Sequence, residues 1–437
     1  MQPTLPPPEQ LDATDQENLI LVVRADPIIC GHSTEARNLA EAAIGRGFRE
    51  VHIVSYPLDV LAASELPLKP IDSIVPYSEG ITVDRPAPVG DYKVLDGRLG
   101  YAISGHLVDL LRQLPGRTAV MDLYLVPHGQ MVIQAVEAAR LMGLGSQAIT
   151  TIGEAVGSDI TNVVQNAVAT GQFGAAALVL QNYLSHDLPV AVSEFTKQLI
   201  VAAGAGVDQR LGTQFVEQLS DRIRISYPAI DTSVYLEIAA QPGNDDILAR
   251  RGLEPDGFIL FLSRLSEAKG VDDLIHAYRA SNLYGQKVLL ICGNGPDAGR
   301  LREIAGDDPW IRFLDDVGDE EKSVLMYGCY AYCLPSKPRP EFTETFGIAI
   351  AEAMLAGGCG PVITTRTGGI PEATGDHCLY HAAGDVAELT ARLNEVAAMT
   401  PQTRAELCTQ AQEYAQRFDR KCILDKLLST APLRAVA

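Results

Sequence analysis

The segment TETFGIAIAEAMLAG, residues 343–357, places Glu344 and Glu352 eight positions apart, with a Phe-Gly pair between them. Apolar residues recur at helical spacing over 346–356, which predicts a helix there and leaves Glu344 in the loop before it. The first turn of a helix has backbone N–H groups without partners and the positive end of the helix dipole, so it suits a diphosphate. Gly347 would let a ligand approach the backbone closely.

The two carboxylates suit hydroxyl groups. A carboxylate offers two acceptor oxygens and no donor, which fits the vicinal diol of a ribose for Glu352 and sugar hydroxyls for Glu344. Two glutamates at this spacing are also common on solvated helix faces, so the pair gains its meaning from its flanks. These flanks are LPS at 334–336 and PVITTRTGGIPE at 361–372.

With its flanks, the segment resembles the sugar-nucleotide site of retaining glycosyltransferases of the GT-B fold, in glycosyltransferase family 4 (glycosyl transferases group 1). The resemblance covers about residues 19–430 and is strongest in the second half of the chain. It implies an α/β protein of two Rossmann-like doubly wound domains that face a cleft, with a C-terminal helix that crosses back to the first domain. It further implies that the second domain binds a nucleoside diphosphate sugar and the first domain binds the acceptor.

The segment SRLSEAKG, residues 263–270, follows the predicted strand 258–262 and carries Arg264 and Lys269. In the resembled family the corresponding Gly-Arg-Leu…Lys-Gly segment holds the diphosphate leaving group with its two cations, and Ser263 here replaces the usual glycine. Fixed cations stabilise the negative charge that grows on the departing phosphate without a metal. The alternative is a pair of solvated loop charges.

The resemblance assigns further residues to donor binding, in both domains. Gly31 resembles the glycine-rich turn of the first domain, although the family has paired glycines where this chain has Gly31-His32. A turn glycine without a ligand is the alternative. The predicted donor-binding residues are Gly31, His32, Ser263, Asn294, Gly295, Phe346, Gly347, Ile348 and Glu352.

The predicted catalytic residues are Arg264, Lys269, Glu344, His128 and Glu154. His128 follows the predicted strand 119–126 and could orient a hydroxyl or a phosphate, although a lone histidine is often a structural hydrogen-bonder. Many family members carry a histidine after the next strand, 148–152, where this chain has Gly153-Glu154. Either Glu154 does the corresponding work or the donor sugar is held differently.

Alternating strand and helix patterns indicate doubly wound domains, beginning with strand 19–24, helix 34–46 and strand 51–55. The predicted domains are a disordered tail over 1–18, an acceptor domain over 19–235 that takes back 416–437, and a donor domain over 236–415.

Two segments lack a periodic pattern. The proline-rich segment 62–101 is expected to recognise the acceptor or to be disordered. The segment KPRPEFT, residues 337–343, is longer than the family pattern, and its Lys337 and Arg339 are expected either to meet an anionic acceptor or the donor phosphates, or to be solvated.

Composition limits the remaining function classes. The 437 residues carry a formal net charge of -20, which disfavours nucleic acid and anionic membrane surfaces as partners. No apolar run of about 18 residues is present, so neither a transmembrane segment nor a signal peptide is expected. The eight cysteines show no metal-ligand spacing, which favours reduced, buried thiols in a cytoplasmic protein.

The resemblance implies a metal-independent, retaining hexosyltransferase with no cofactor beyond its nucleoside diphosphate sugar, and the composition favours a cytoplasmic protein. The acidic surface favours a soluble small-molecule acceptor over a lipid. The resemblance implies that the departing phosphate takes the acceptor's proton, so that no conventional general base is required, and that domain closure excludes water. Two alternatives stay open: a non-catalytic sugar-nucleotide binding protein, for which Gly153 argues, and a GT-B sugar-nucleotide epimerase.

Overall fold

The computed structural model describes residues 18–26, 31–64, 75–90, 97–144, 148–339, 342–358 and 360–431. The chain divides into unit 1, which consists of Met1–Ala229 and Arg420–Ala437, and unit 2, which consists of Ile230–Asp419. The sequence analysis placed the corresponding junctions after residues 235 and 415. The predicted tail lies outside the described residues except for Asn18, which is buried in the first strand.

Unit 1 is built on a parallel sheet whose inner strands are apolar on both faces. In the first strand, residues 19–22 are each at most 2% exposed, as expected where helices cover both sides of a sheet. Among the described residues, the strands are β1 (Asn18–Val22), β2 (Glu50–Val54), β3 (Ile81–Asp84), β4 (Thr118–Asp122), β5 (Ile149–Ala155), β6 (Leu188–Ala191) and β7 (Arg224–Ile225). Their order across the sheet is β3-β2-β1-β4-β5-β6-β7.

Helices connect these strands, and local signals mark where some of them begin and end. Helix α7 begins where the Ser193 side chain accepts a hydrogen bond from the Thr196 N–H, and it ends at Gly212, whose φ is 68°. Two π-helical turns, Leu125–Gly129 and Ile160–Gln165, lie after β4 and β5. The helices described before Ala229 are α1 (Gly31–Gly45), α2 (Leu58–Ala63), α3 (Arg98–Gln113), α4 (Gln130–Leu141), α5 (Asn166–Ala169), α6 (Phe173–Leu184), α7 (Glu194–Leu211) and α8 (Phe215–Arg222).

Unit 2 repeats this architecture around a second parallel sheet. Its described strands are β8 (Phe258–Leu262), β9 (Val288–Cys292), β10 (Ile311–Leu314), β11 (Ala331–Leu334), β12 (Val362–Thr365) and β13 (Leu379–His381), in the order β10-β9-β8-β11-β12-β13. Its described helices are α9 (Ser233–Leu236), α10 (Asn244–Arg250), α11 (Val271–Ala280), α12 (Ala298–Ala305), α13 (Asp319–Gly328), α14 (Ile348–Ala356), α15 (Ile370–Thr374), α16 (Val386–Ala398) and α17 (Pro401–Ala415).

Helix α18 (Arg420–Thr430) returns the chain to unit 1, where it packs against α1. Its apolar residues Ile423, Leu424, Leu427 and Leu428 are at most 4% exposed and belong to the same core as Leu39 of α1. The predicted return of a C-terminal helix to the first domain is confirmed.

The strand order of each sheet fixes where a ligand can bind. In both sheets the order runs outward in opposite directions from one strand, β1 in unit 1 and β8 in unit 2. Ligands of open α/β sheets bind beyond the carboxyl ends of the strands at such a switch point. The loops after β1 and β4, and those after β8 and β11, are therefore the candidate positions.

Several predicted elements differ from the structure, and the strand predicted over 119–126 ends at Asp122. Strand β5 runs on to Ala155, so Gly153 and Glu154 lie inside it and not after it. Helix α14 begins at Ile348 and not at Phe346, because Gly347 before it has a φ of 101°, which a helix excludes. The segment 62–101, predicted to be irregular, contains β3 and the start of α3 between stretches that lie outside the described residues.

Candidate functional site

The turn after β8 in unit 2 is pressed against the carboxyl end of β11. Lys269 ends a short 3₁₀ turn and Gly270 follows with a φ of 68°. A Cβ atom on Gly270 would lie 2.1 Å from the backbone oxygen of Pro335, so only glycine permits this approach. The turn therefore carries the Lys269 side chain to the segment that leaves β11.

Lys269 and Glu344 form an ion pair at this switch point. The Lys269 ammonium donates a hydrogen bond to Glu344 Oε2, and the two side chains are 11% and 12% exposed. The Phe342 ring lies on the same ammonium, with its centroid 5.2 Å from Nζ. The structure thus brings together the cation predicted for the diphosphate and the carboxylate predicted for the sugar.

A glycine pair after β12 supports the backbone of Glu344. The Gly369 N–H donates to the Glu344 backbone oxygen at 2.9 Å. Cβ atoms on Gly368 and Gly369 would lie 2.1 Å from the Glu344 oxygen and 1.9 Å from the Thr345 oxygen. The TGG sequence at 367–369 is therefore required by close backbone contact with the loop that carries Glu344.

The N-terminus of α14 lies directly after this loop. Gly347 is its N-cap residue, and no side chain among the described residues caps it, so the first amides of the helix remain available to an anion. The side chain of Phe346 is not available, because it is 2% exposed and packs edge-to-face on Phe418 with ring centroids 5.0 Å apart. Phe346 can meet a donor only through its backbone, whereas Ile348 is half-buried.

Glu352 lies in the same helix and already has two partners. Its Oε1 accepts a hydrogen bond from Lys322 Nζ at 2.6 Å, and only 6% of its side chain is exposed. The Tyr235 hydroxyl also bonds to it; burial, and next the Glu352 charge, raise the pKa of Tyr235 well above its usual range. Because a carboxylate has about four lone-pair sites, a ribose diol would share Glu352 with these partners.

Lys322 and Tyr235 were not predicted from the sequence as partners of Glu352. They lie on α13 and α9, far from each other and from Glu352 in the sequence. No motif or spacing links them, so only the packing of three helices could have revealed the cluster.

The loops after β8 and β9 interlock, which fixes Ser263, Asn294 and Gly295. A Cβ atom on Gly295 would lie 2.0 Å from the backbone oxygen of Leu265, whose N–H donates to the Asn294 oxygen at 2.9 Å. The Asn294 side chain is directed to the Asp315 backbone oxygen at 2.7 Å. Ser263 is half-buried and contributes its backbone to the approach of Gly293.

Arg264 is exposed at the same edge of the sheet. Within the described part of the chain, its guanidinium makes no hydrogen bond and no ion pair. The Glu344 carboxylate is paired with Lys269 instead. The structure therefore places the two predicted diphosphate cations on one loop but joins only Lys269 to the acidic partner.

The segment that begins at Lys337 is fastened to the turn that carries Lys269. Lys337 Nζ donates to Asp272 at 2.9 Å and to Asp273 at 3.0 Å, and the Arg339 guanidinium lies 3.3 Å from Glu267. Both cations are neutralised by acidic side chains. The sequence left two possibilities for Lys337 and Arg339, solvation or the binding of an anionic ligand. In the structure both side chains instead pair with acidic residues of this chain.

Residues 245–418 match the family model described as Glycosyl transferases group 1. This part of unit 2 is a group 1 glycosyltransferase domain.

Curated relatives match about half of the chain or less. The D-inositol 3-phosphate glycosyltransferase of Saccharomonospora viridis is 28% identical over 251 residues, which cover 53% of this chain and 54% of the relative. The phosphatidylinositol N-acetylglucosaminyltransferase gpi3 subunit of Schizosaccharomyces pombe is 31% identical over 142 residues, which cover 32% of this chain and 30% of the relative. The chain thus spans about half the length, or less, of these relatives.

Solved structures resemble nearly the whole chain. HepE of Anabaena, in complex with UDP and glucose, superposes with a TM-score of 0.65 and 18% identity over 94% of this chain and 98% of HepE. WaaG, a glycosyltransferase involved in lipopolysaccharide biosynthesis, gives 0.60 and 16% over 95% of this chain and 99% of WaaG. At these identities the likeness shows the fold, and the predicted class, GT-B with two Rossmann-like α/β domains, is confirmed.

In unit 1, outside the group 1 domain, aromatic rings surround His128 at the carboxyl ends of β1 and β4. The ring centroid of His128 lies 5.7 Å from that of Tyr56 and 6.5 Å from that of Tyr124. His128 is fully buried and neither ring nitrogen has a hydrogen-bond partner among the described residues. Burial, and next the charge of Arg24, lower the pKa of His128 to about 3, so the ring is neutral.

Gly31 and His32 begin α1, and both are half-buried. The His32 ring lies 6.0 Å from the Tyr124 ring, so it joins the same cluster. The rest of the predicted turn, 27–30, lies outside the described residues.

Glu154 is fully buried in β5, and neither carboxylate oxygen has a hydrogen-bond partner among the described residues. Burial, and next the charges of Glu35, Asp122 and Asp159, raise the pKa of Glu154 well above its usual range. The protonated form of the carboxyl group is therefore favoured, and in that form it can donate a hydrogen bond.

A histidine does lie beside Gly153, but it comes from a different element. A Cβ atom on Gly153 would lie 2.7 Å from Nδ1 of His186, which follows α6. His186 Nε2 lies 2.7 Å from Asp122; burial opposes the charged ring, but Asp122 outweighs burial and raises the pKa of His186. Because neighbouring residues of a strand point to opposite faces, Glu154 cannot occupy this position, and the imidazole of His186 does.

The described residues offer neither a metal-binding cluster nor a membrane-spanning helix. They contain no cluster of three or more His, Cys, Asp or Glu side chains arranged to hold a metal ion. No helix in the described ranges combines the length and the apolar character that crossing a bilayer requires.

Proposed function

We propose that the protein is a retaining, metal-independent glycosyltransferase that moves a sugar from a nucleoside diphosphate sugar to a hydroxyl group of a soluble small molecule. The observation that carries the proposal is the contact of Lys269 with Glu344 beside the uncapped N-terminus of α14. A cation and helix amides suit a diphosphate, and a carboxylate suits sugar hydroxyls, so the two halves of such a donor meet at one place.

Donor binding exchanges the partners of this ion pair. A diphosphate oxygen replaces the Glu344 carboxylate at the Lys269 ammonium, while the α14 amides bind a second phosphate oxygen. Glu344 then has lone pairs for the sugar hydroxyls, and Glu352 accepts hydrogen bonds from the ribose. Lys322 positions Glu352 in this arrangement.

Transfer breaks the bond between C1 of the sugar and the phosphate oxygen and forms a bond from the acceptor oxygen to C1 on the same face. The electron pair of the broken bond stays on the phosphate, where Lys269, Arg264 and the α14 amides stabilise the growing charge. The acceptor proton passes to the departing phosphate, which balances the step. Fixed cations and amides do here what a metal ion does in other enzymes, which supports metal independence.

The relatives guide the choice of donor and acceptor. The HepE structure contains UDP and glucose, and the curated relative from Saccharomonospora viridis is named for an inositol 3-phosphate acceptor. The net charge of -20 disfavours a lipid acceptor at an anionic surface. The side chains of Cys292, Cys329, Cys333 and Cys408 are buried, which favours a reducing cytoplasm.

The proposal is tested by ligand-induced thermal shifts with UDP, GDP, ADP and dTDP and their sugars, in EDTA. One nucleotide class should raise the melting temperature without a metal. Glu344→Gln should leave the shift with the free nucleoside diphosphate nearly intact but reduce the additional shift from its sugar, and Glu352→Gln should reduce both. A matched control is Glu395→Gln, on the exposed surface of α16, which should change neither.

Turnover then decides the reaction class. With the stabilising donor and a panel of polyols and their phosphates, we expect a product whose anomeric configuration, measured by NMR, equals that of the donor. Inversion at C1 would contradict the retaining mechanism. Donor binding without transfer would indicate a binding protein, and conversion of the donor to its epimer without an acceptor would indicate an isomerase.

A further inference from the structure

Arg24 lies at the switch point of unit 1, and no acidic side chain of the described residues neutralises it. It follows β1, is half-buried, and its guanidinium carbon lies 5.3 Å from the centroid of the Tyr124 ring. Within the described ranges it makes no hydrogen bond and no ion pair. The nearest acid in sequence, Asp26, is already engaged by Arg85 at 2.7 Å.

The chain is acidic, with 55 Asp and Glu residues against 35 Lys and Arg. Arg251 and Arg279, which are also half-buried, are paired with Glu321 and Asp308. Desolvating a charge costs free energy unless a partner compensates it. A half-buried arginine that no acid neutralises is therefore suited to an anion from outside the chain.

Two further side chains near Arg24 have donor groups that no described residue engages. The Tyr56 hydroxyl makes no hydrogen bond with the described residues, and its ring contacts His128. His128, fully buried, has both ring nitrogens unpartnered among those same residues. The Arg24 charge acts on both: it opposes burial, which raises the pKa of Tyr56, and it adds to burial in lowering that of His128.

The acidic groups of the neighbourhood carry less charge than their number suggests. Burial raises the pKa of Glu35 to about 7 and raises that of Asp159, in both cases against the effect of His32. A raised pKa favours the protonated form of a carboxyl group, which repels an anion less than a carboxylate does. Glu35 and Asp159 therefore oppose an anion at Arg24 less than two ordinary carboxylates would.

We infer that Arg24, Tyr56 and His128 bind the phosphate group of a phosphorylated acceptor. The guanidinium grips two phosphate oxygens in its planar fork, the phenol donates to a third, and the neutral imidazole donates one N–H. A phosphate monoester has the oxygens to satisfy all of them. That the phosphorylated molecule is an acceptor rests on the proposed function. The phosphate site itself rests on the geometry of unit 1.

The test compares neutral and phosphorylated forms of the same polyol as acceptors: inositol with inositol 3-phosphate, and glycerol with glycerol 3-phosphate. With UDP-glucose, or with whichever donor stabilises the protein, we expect at least a tenfold higher kcat/KM for the phosphorylated member. Arg24→Gln should lower that value by about 10- to 100-fold, since a hydrogen bond to a charged group contributes about 1.5–3 kcal/mol, and should lower the value for the neutral polyol much less. Arg24→Lys keeps the charge but loses the planar fork of the guanidinium. Its kcat/KM for the phosphorylated acceptor should lie between those of the wild type and Arg24→Gln.

Controls separate this site from the donor site. Arg112→Gln changes an arginine of α3 whose side chain is 63% exposed, and it should leave all values unchanged. Arg24→Gln should bind the nucleoside diphosphate as wild type does, which also shows that it folds. Equal loss of nucleotide binding would place Arg24 in the donor site and overturn the inference.

A second readout does not depend on turnover. Inorganic phosphate should raise the melting temperature of the wild type and of Arg112→Gln, and much less that of Arg24→Gln. Equal shifts in all three proteins would overturn the phosphate site. Transfer to neutral polyols with no preference for phosphate would also overturn it while leaving the proposed function intact, whereas a protein that binds no nucleotide but keeps the Arg24-dependent phosphate shift would lose only the proposed function.

Discussion

At some positions of this protein, the space that neighbouring side chains leave determines which residue fits. Gly153 has no side chain because the His186 ring fills the space, with Cγ and Cε1 at 2.8 and 3.0 Å from where a Cβ atom would be. A histidine at 153 and the histidine at 186 exclude each other. The imidazole beside Gly153 thus comes from the end of α6, where Asp122 holds it.

Gly153→Ala should therefore destabilise unit 1. Its φ is not in the positive region, so the cost comes from the clash with His186 and not from backbone strain. Overpacking of this kind costs about 1–3 kcal/mol, which urea unfolding measures. Gly174→Ala is the matched control, because it adds the same methyl group in open space on α6. Equal stability of both variants would show that the His186 ring can move aside.

The buried carboxyl of Glu35 predicts a pH dependence. It accepts a hydrogen bond from the Ala229 N–H at 3.2 Å, and burial raises its pKa from 4.5 to about 7. Below pH 4.5 both the folded and the unfolded chain hold this proton. Between pH 4.5 and 7 the unfolded chain loses it first, so the stability that this group contributes is lost as the pH rises through about 7.

Glu35→Gln should flatten this decline, because an amide keeps the acceptor oxygen and does not titrate. The difference in unfolding free energy between pH 4.5 and 8 should shrink by something on the order of 3 kcal/mol. Glu137→Gln, on the exposed face of α4, should keep the wild-type slope. Parallel pH profiles for wild type and Glu35→Gln would contradict the protonated state of Glu35.

At the scale of elements, the strands of unit 2 were predictable and the start of α14 was not. A short apolar run bounded by turns gives β8 with the predicted limits, 258–262. The apolar run from Phe346 to Ala356 looks helical throughout, but Phe346 is drawn into the core by Phe418 and Gly347 turns the chain between them. A contact with a residue about seventy positions away overrides local periodicity.

Gly347→Ala tests the N-terminus of α14. A φ of 101° is costly for any residue with a Cβ atom, and that atom would lie 3.1 Å from Ile350 Cδ1. We expect unit 2 to lose about 1–3 kcal/mol and nucleotide affinity to fall as the helix amides shift. Gly299→Ala in α12, where the added atom contacts no other atom among the described residues, should keep the stability of unit 2 and the nucleotide affinity. Unchanged nucleotide affinity in Gly347→Ala would separate the helix amides from the donor site.

For the whole molecule, the sequence identified the two doubly wound domains, but several site contacts required the tertiary structure. Glu344 and Lys269 could be predicted because each follows a strand end of a recognisable motif. The partners of Glu352, Lys322 and Tyr235, come from separate helices and have no signature. Arg24 could have been suspected as a charge at the end of a buried strand, although its lack of a partner among the described residues is visible only in the fold.

Leu427→Ala tests the assignment of α18 to unit 1. Leu427 is 4% exposed in the core shared with α1, so the substitution should cost about 2–5 kcal/mol. In calorimetry this should lower the transition of unit 1 and not the transition that a nucleoside diphosphate raises. Cys422→Ala, an exposed position of the same helix, should change neither transition. A uniform shift of both would contradict the division.

The position of α18 also orders events during synthesis. Unit 2 is one continuous stretch of chain, so it can fold as soon as its last residue leaves the ribosome. Unit 1 is begun before unit 2 but cannot be completed until after it, because four leucine and isoleucine side chains of its core follow unit 2 in the chain. Until α18 is made, the apolar face of α1 that it covers has no partner from this helix.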